Sequence, residues 1–441
     1  MTPAARIQTA IEILERIETA SRPADQVVTA ELRARRYVGS KDRRAINALV
    51  FALLRHRARL DWWIAGTGDF GESLPAERPR LRAIAWHVLD PDRGSLETLF
   101  DGSGYGPAGL TDAERQLAEA LRGRSLSAME PPAAVRAELP SWLYDLLAPS
   151  LAAQGGDADA ELAALNVEAP LDLRVNTLKS DRETARAALA AEGIEALPTP
   201  WSPLGLRVAG RRALPTLRAF RDGLVEVQDE ASQLAALLVA AEPAMVVADL
   251  CAGGGGKALA LAACMADRGE LIALDRDARR LERARPRLGR AGVANCELVA
   301  LSGGDDAWLS AHARAFDRVL VDAPCSGSGA WRRNPDARWR FTPEALAELR
   351  ETQAGLLDRA AALVRPGGRL VYATCSLIAE ENGAQLEAFL ARTADFTPRP
   401  YGPIWRAVIG SEPPGDTASL TLTPARHGTD GFFIAVLERS A

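Results

Sequence analysis

The sequence predicts an α/β protein: a doubly wound sheet over residues 241–441, a small α/β piece over 137–240, and an all-helical segment over 1–130. Three observations carry that prediction. From Met245 onward, short apolar runs (MVVADLC, ELIALD, CELVAL, FDRVLVDAP, RLVYATCS, GFFIAVLE) alternate with stretches of helical composition. Runs of about four to eight apolar residues bounded by turns are strands covered on both faces, and the helices between them make right-handed crossovers. The first run ends in four glycines, Gly253 to Gly256, and the next closes on Asp275. Near the amino terminus Ile7, Ile11, Leu14 and Ile17, and then Ile46, Leu49, Leu53, Leu54 and Leu60, recur at three- and four-residue steps, the spacing of helices that bury one face.

Composition narrows the class. At 441 residues the chain exceeds one compact core, and roughly 150 residues per domain gives about three. With 47% hydrophobic and 25% charged residues it reads as an ordinary soluble chain, and a net charge of −5 gives it no overall attraction to nucleic acid. A polyanionic partner therefore requires local basic patches. The five cysteines form no CxxC pair, which argues for reduced thiols in a cytoplasmic protein and against zinc or a disulfide frame. Neither a leader peptide nor a membrane span is expected.

Along the helical segment lie Arg33, Arg35, Arg36, Lys41, Arg43, Arg44, Arg55, Arg57 and Arg59. They read equally as a solvated helical face or as a phosphate-contacting surface. Gly102 to Gly109 marks a loop, and Pro131, Pro132 and Pro140 mark a boundary. Beyond it ELPSWLYDLLAPSL begins a helix, LDLRVNTLK is strand-like, residues 181–192 are helical, LGLRVAG is strand-like, and VQDEASQLAALLVA is a helix that leads into the large sheet.

Glycines in the 253–256 turn let a ligand approach the backbone, and the helix that follows offers its amino terminus to anionic groups. Asp275, roughly 20 residues on, can accept both hydroxyls of a ribose, so the cofactor contains adenosine. Gly253, Gly255 and Ala258 formally satisfy GxGxxA, which keeps an NAD-dependent dehydrogenase as a rival. A Walker loop is excluded, because Ala258 stands where a magnesium-binding hydroxyl belongs.

Two runs end in cysteine, at DAPCSGSG (Cys325) and ATCS (Cys375). Open α/β sheets bind ligands outside the carboxyl ends of their strands, so both sulfurs are expected in one crevice. A dehydrogenase has no use for two such thiols. Methyl transfer to a pyrimidine carbon does: a thiolate added to carbon 6 makes carbon 5 nucleophilic, and a second thiol can assist release.

The motifs DLCAGGGGK, ALDRD, DAPCSGSG and ATCS, with LRVNTLK and VQDEAS ahead of them, resemble the Sun (Fmu) family of RNA cytosine-5 methyltransferases. The stretch YVGSKDRRAINALVFALLRHRARLDWWI resembles a NusB-like RNA-binding domain. The resemblance implies a Rossmann-like class I methyltransferase sheet, S-adenosylmethionine as cofactor and ribosomal RNA as substrate, in a cytoplasmic monomer. It assigns Cys375 as nucleophile and Cys325 to product release, with Lys257 and Asp322 at the polar edge of the cytosine. Its cofactor contacts fall on Cys251, Ala252, Gly253, Gly254, Gly255, Gly256, Lys257, Asp275 and Asp322, and on Asp305 in preference to Asp306. The turn departs from the family, whose usual turn has alanine and proline where Ala252 to Gly254 stand. A non-catalytic RNA-binding assembly factor on the same fold is the remaining alternative.

After Cys325 the chain reads GAWRRNPDARWRF. Arginines beside aromatic rings neutralise phosphates and stack bases, so Arg332, Arg333 and Arg338 are expected to contact RNA. Arg174, in the LRVN element, joins them through the resemblance. The competing reading is a structural loop anchored by its tryptophans.

Overall fold

The computed structural model describes residues 1–67, 77–210, 214–301 and 306–441. The chain forms two compact units: one of Met1–Pro149, Asp157–Val167 and Trp331–Phe341, the other of Ser150–Gly156, Glu168–Ala330 and Thr342–Ala441.

The first unit is helical, as its periodicity predicts. The helix Pro3–Thr19 starts where the Thr2 hydroxyl accepts the Ala5 N–H and proline occupies the first turn, where a missing N–H costs nothing. It buries Ile7, Ile11, Leu14 and Ile17 in a core shared with Ile46, Val50 and Leu53 of the helix Ser40–Arg55. The helix Arg57–Ala65 follows, and its Ala58 N–H donates to the Glu138 carboxylate at 2.7 Å. Glu138 is wholly buried and holds a positive φ of 58°. The segment Trp331–Phe341 completes this unit: Asp336 accepts the Ala24 N–H at 3.0 Å, and Phe341 stacks on Trp142 with ring centres 5.9 Å apart. The proline-marked stretch 125–140 buries Leu126, Ala137 and Leu139.

The second unit contains both sheets. The smaller has β1 (Leu171–Val175), β2 (Ala196–Pro198), β3 (Gly205–Val208) and β4 (Val225–Val227), all antiparallel, in the order β2-β3-β1-β4. Its core joins Leu173, Val175, Leu206 and Val208 to Ala185 and Leu189 of the helix Arg182–Ala191.

The large sheet has β5 (Val246–Leu250), β6 (Glu270–Asp275), β7 (Cys296–Ala300), β8 (Phe316–Asp322), β9 (Val364–Thr374), β10 (Phe396–Arg399), β11 (Ser419–Leu422) and β12 (Phe432–Arg439). Its order is β7-β6-β5-β8-β9-β12-β10, with β11 on β12. Strands β5 to β9 are parallel, and β12 is antiparallel to β9, β10 and β11. Alternate residues serve two cores: Val247, Leu271, Leu320 and Val371 face one, and Ala248, Ile272, Val319 and Leu370 the other. Burial on both faces is why these strands read as continuous apolar runs. The order reverses between β5 and β8, the switch point of an open sheet, where a ligand crevice forms at the carboxyl ends. No described helix is long and apolar enough to cross a membrane.

Candidate active site

The turn after β5 needs its glycines. Gly253 and Gly255 have φ of +56° and +75°, in the left-handed region, and Gly255 caps the helix Gly256–Cys264. A β-carbon on Gly253 would lie 2.8 Å from Arg280 Nη2, and one on Gly255 2.7 Å from Ala284 Cβ. Cys251 also holds a positive φ, of 70°. The Gly253 N–H donates to Asp275 Oδ2 and the Asp277 N–H to Asp275 Oδ1, each at 2.8 Å. These bonds fix the carboxylate and leave lone pairs on both oxygens, so the glycine turn and Asp275 together fit an adenosine. Ala252, Gly254 and Gly256 complete the turn. Asp305 lies outside the described residues.

Across the switch point, Lys257 Nζ lies 2.7 Å from Asp322 Oδ2 and 5.0 Å from the centre of the Phe432 ring. Lys257 is buried, and burial alone would favour its neutral form. The opposing pull of Asp322, Asp249 and Cys375 outweighs that and raises its pKa above the ordinary lysine value, so it stays an ammonium. Asp249, fully buried at the end of β5, has both carboxylate oxygens without a hydrogen-bond partner among the described residues. Burial first, then the nearby Asp322, pushes its pKa up to about 8. One ammonium thus serves two carboxyl groups: it is hydrogen-bonded to Asp322 and feels the pull of Asp249.

The two thiols meet beside this pair. Strands β8 and β9 are neighbours, with Asp322 opposite Ala373, and the turns that follow bring Cys325 Sγ to 3.4 Å from Cys375 Sγ. That is hydrogen-bonding distance, well beyond the ~2.05 Å of a disulfide. The Cys325 thiol is pushed well above its usual pKa by its hydrogen bond to Cys375, by burial and by the charge of Glu381. It therefore holds its proton at neutral pH.

A buried carboxylate that sequence reasoning missed sets this geometry. Glu381 Oε1 accepts the Ser326 N–H at 2.8 Å and the Gln353 side-chain N–H at 3.0 Å. Its Oε2 accepts the hydroxyls of Ser326 and Ser376 at 2.5 Å each. The two serines each follow a candidate cysteine, so one side chain grips both sulfur-bearing turns. Ser328 adds to the clamp: its hydroxyl lies 3.1 Å from that of Ser376 and accepts the Leu377 N–H at 2.8 Å. Gly329 closes it by donating its N–H to the Cys375 carbonyl at 3.0 Å, and a β-carbon there would lie 2.1 Å from the Gly431 carbonyl oxygen. The only hint in the sequence was the serine after each cysteine. Of the remaining cysteines, Cys251 and Cys296 are pushed up to about 12, chiefly by burial, and Cys264 is raised in the same way, so none of the three is a ready thiolate.

Three of the four arginines expected to contact RNA, Arg174, Arg332 and Arg338, are buried, and for them the expectation requires correction. Arg338 is 1% exposed and donates to the carbonyls of Glu138 and Leu165 at 3.2 and 3.4 Å. Arg174 is 2% exposed, donates to Gln228 Oε1 at 2.6 Å, and has its pKa pulled down to about 10 by burial. Arg332 is buried as well, and Arg333 is half-buried. The enclosed guanidinium groups of Arg174 and Arg338 are committed to oxygens of the protein itself, whereas Arg333 keeps part of its surface exposed. Trp331, 1% exposed, anchors the same segment, so the structural-loop reading is the one this geometry favours.

Comparison with known proteins places these features in a family. Residues 236–438 match the family described as 16S rRNA methyltransferase RsmB/F, and residues 139–214 match the ferredoxin-like domain of RsmF/B-like methyltransferases. The chain is similar to the ribosomal RNA small subunit methyltransferase B of Xylella fastidiosa, at 35% identity over 416 residues, covering 90% of each protein. It is similar also to that of Xanthomonas campestris, at 33% identity over 411 residues, covering 91% of this chain and 90% of the relative. Among solved structures, PH0851 superposes with a TM-score of 0.77 at 26% identity, covering 100% of this chain and 99% of that one. A methyltransferase homologue from Pyrococcus horikoshii gives 0.57 at 28% identity, covering 70% and 97%. These matches leave the dehydrogenase reading without support. The chain belongs to the RsmB/F family of 16S rRNA methyltransferases and is an S-adenosylmethionine-dependent rRNA methyltransferase.

Proposed function

We propose that this enzyme makes 5-methylcytosine in ribosomal RNA through a covalent adduct between Cys375 and carbon 6 of the base, acting as a cytoplasmic monomer. The single observation that carries the reading is the pair of sulfurs 3.4 Å apart, beside the Lys257–Asp322 pair and the glycine turn. Carbon 5 of cytosine is too weak a nucleophile to take a methyl group directly, and addition of a thiolate at carbon 6 turns the ring into an enamine. S-adenosylmethionine supplies the electrophilic methyl group. The residues of the crevice do the rest.

Cys375 forms the sulfur–carbon bond, and Asp322, held by Lys257, receives the N3 and amino edge of the flipped-out base. Once carbon 5 carries the methyl group it must lose its proton, and the sulfur–carbon bond must break to restore the ring. Cys325, protonated and 3.4 Å from the departing sulfur, gives its proton to the Cys375 sulfur as the sulfur–carbon bond breaks, and the Cys325 thiolate so formed takes up the carbon 5 proton, which returns both thiols to their starting state. Asp249 and Lys257 keep the crevice polar floor fixed, so charge that develops on the base meets groups already in place. Asp305 is proposed as the adenine-side contact. The helical unit, with its many exposed arginines, is proposed as an RNA-binding module.

The test is a pair of variants assayed on unmodified 16S rRNA transcript. Cys375→Ala should transfer no methyl group, whereas Cys325→Ala should accumulate a protein–RNA adduct that survives denaturing electrophoresis. Methylation by Cys375→Ala, or bisulfite mapping that finds no 5-methylcytosine in the product of the wild-type enzyme, would overturn the reading.

A further inference from the structure

Within the helical unit, a cavity of about 390 Å³ opens among the helices Pro3–Thr19, Ser40–Arg55, Arg57–Ala65 and Arg78–Val88 and the segment Trp331–Phe341. Leu14, Ile17 and Leu54 contribute apolar surface, and Trp339 a ring. Arg57, Arg78, Arg82 and Arg340 supply the charge, against Glu18 and Asp336 in the same lining.

The four arginines are not equally engaged. Arg82 is buried and fully committed: its Nε and Nη2 donate to the Asp61 carboxylate at 2.6 and 2.9 Å, and its Nη1 to Glu18 at 2.5 Å. Arg340 pairs with Asp336 at 2.9 Å. Among the described residues, the ion pairs of Arg57 and Arg78 are with the same Asp61, at 3.8 and 3.9 Å, after Arg82 has taken both of its oxygens. One carboxylate cannot satisfy three guanidinium groups, so two forks are left with donors to spare. Burial first, then repulsion from Arg82, pulls the pKa of Arg57 down, and Asp61 and Glu18 offset this only in part. A second observation is independent of charge. Trp339, whose ring lies 5.1 Å from the Arg57 guanidinium, has a buried Nε1–H without an acceptor among the described residues.

Spare arginine forks, an aromatic ring with an unmet donor and an apolar floor are the elements of a single-nucleotide site, and the volume falls within the ~300–1,000 Å³ range of small-ligand pockets. We propose that this pocket receives one unstacked nucleotide of the substrate RNA, its phosphate held by Arg57 and Arg78 and its base placed against Trp339 and the apolar floor. The proposal rests on the rRNA methyltransferase reading and adds a second point of purchase, in the other compact unit from the cysteines.

The experiment measures binding of the full-length enzyme to unmodified 16S rRNA transcript by filter retention between 50 and 200 mM salt, alongside methyl transfer. Arg57→Gln with Arg78→Gln should weaken binding about tenfold or more, the effect of removing charged hydrogen bonds. It should also flatten the dependence of log K on log salt by about 0.7 for each phosphate no longer neutralised. Trp339→Leu should weaken binding and leave the salt slope alone. A charge-matched control, Arg115→Gln with Arg122→Gln, changes two exposed arginines outside the cavity and should affect both quantities less. Should the double variant fail to fold, Arg78→Gln carries the same test, since that side chain is 37% exposed. The proposal is overturned if the pocket variants match the control in affinity and slope while the wild type still methylates RNA. A wild type that neither retains nor methylates RNA would instead bring down the underlying reading.

Discussion

Glu381→Ala is the change from which most can be learned. Truncation removes four accepted hydrogen bonds: from the Ser326 N–H, the Gln353 amide, and the hydroxyls of Ser326 and Ser376. The hydroxyls lie 3.1 Å apart and can pair with each other. The Ser326 N–H and one Gln353 N–H cannot, and Gln353 is fully buried. Each orphaned donor costs about 1–3 kcal/mol, so the variant should lose about 2–6 kcal/mol. Relief of the buried charge pulls toward the lower figure. In a unit of this size that is a fall in melting temperature on the order of 5–20 °C by calorimetry. Because the same bonds hold both sulfur-bearing turns, methyl transfer should fall about a hundredfold at temperatures where the variant is still folded, the usual result of an ångström-scale displacement of reacting groups. Glu381→Gln keeps one carbonyl oxygen for the two amide donors and should recover most of the stability. A Glu381→Ala enzyme that melts within about 1 kcal/mol of the wild type and turns over at full rate would refute the clamp.

Further expectations follow from the same geometry. Gly255→Ala places a side chain at a φ of +75° and 2.7 Å from Ala284 Cβ; it should cost about 2–5 kcal/mol and weaken S-adenosylmethionine binding in a calorimetric titration. Iodoacetamide at pH 8 should leave Cys251, Cys296 and Cys325 largely unmodified by mass spectrometry, because all three thiols are held protonated. His56, depressed to about 4 chiefly by burial and then by Arg59, contributes stability above the unfolded value of 6.5 that is lost as pH falls toward 4. Glu138, raised to about 8, contributes stability that is present at low pH and lost as pH rises through 8, so it opposes His56 in that window. Comparing His56→Gln with the wild type from pH 7 to 4 isolates the histidine, and the variant should show the smaller acid destabilisation.

Legibility in the sequence followed the length and regularity of each element. The apolar runs that became β5, β6, β8, β9 and β12 were readable because strands covered on both faces allow little but apolar residues; β7, at the sheet edge and nowhere fully buried, was readable from its run CELVA alone. β2, β4, β10 and β11 were not, since three or four residues hold too few alternations to stand above loop composition. The meeting of Cys325 and Cys375 was predictable, because two parallel strands that end in cysteine leave their sulfurs on the same sheet edge. Glu381 was invisible: an acidic residue in AEEN looks like surface until the fold encloses it. The buried arginines failed in the opposite direction. Trp331, Arg332 and Arg338 have the composition of an RNA surface, yet an arginine enclosed beside a tryptophan and donating to backbone carbonyls, as Arg338 does, has the same sequence signature as one meeting phosphate and base.

The late segment Trp331–Phe341 has a consequence for biogenesis. The helical unit is translated first, but the pieces that fill part of it, Trp331 and Arg338, are made only after most of the second unit has left the ribosome. The nascent amino-terminal helices must wait through nearly two hundred further residues with an unfilled hollow, prone to capture by chaperones. An expression fragment cut at residue 167 would carry that vacancy permanently. Supplying a peptide of residues 331–341 to it should raise its melting temperature, as a missing piece of the interior would.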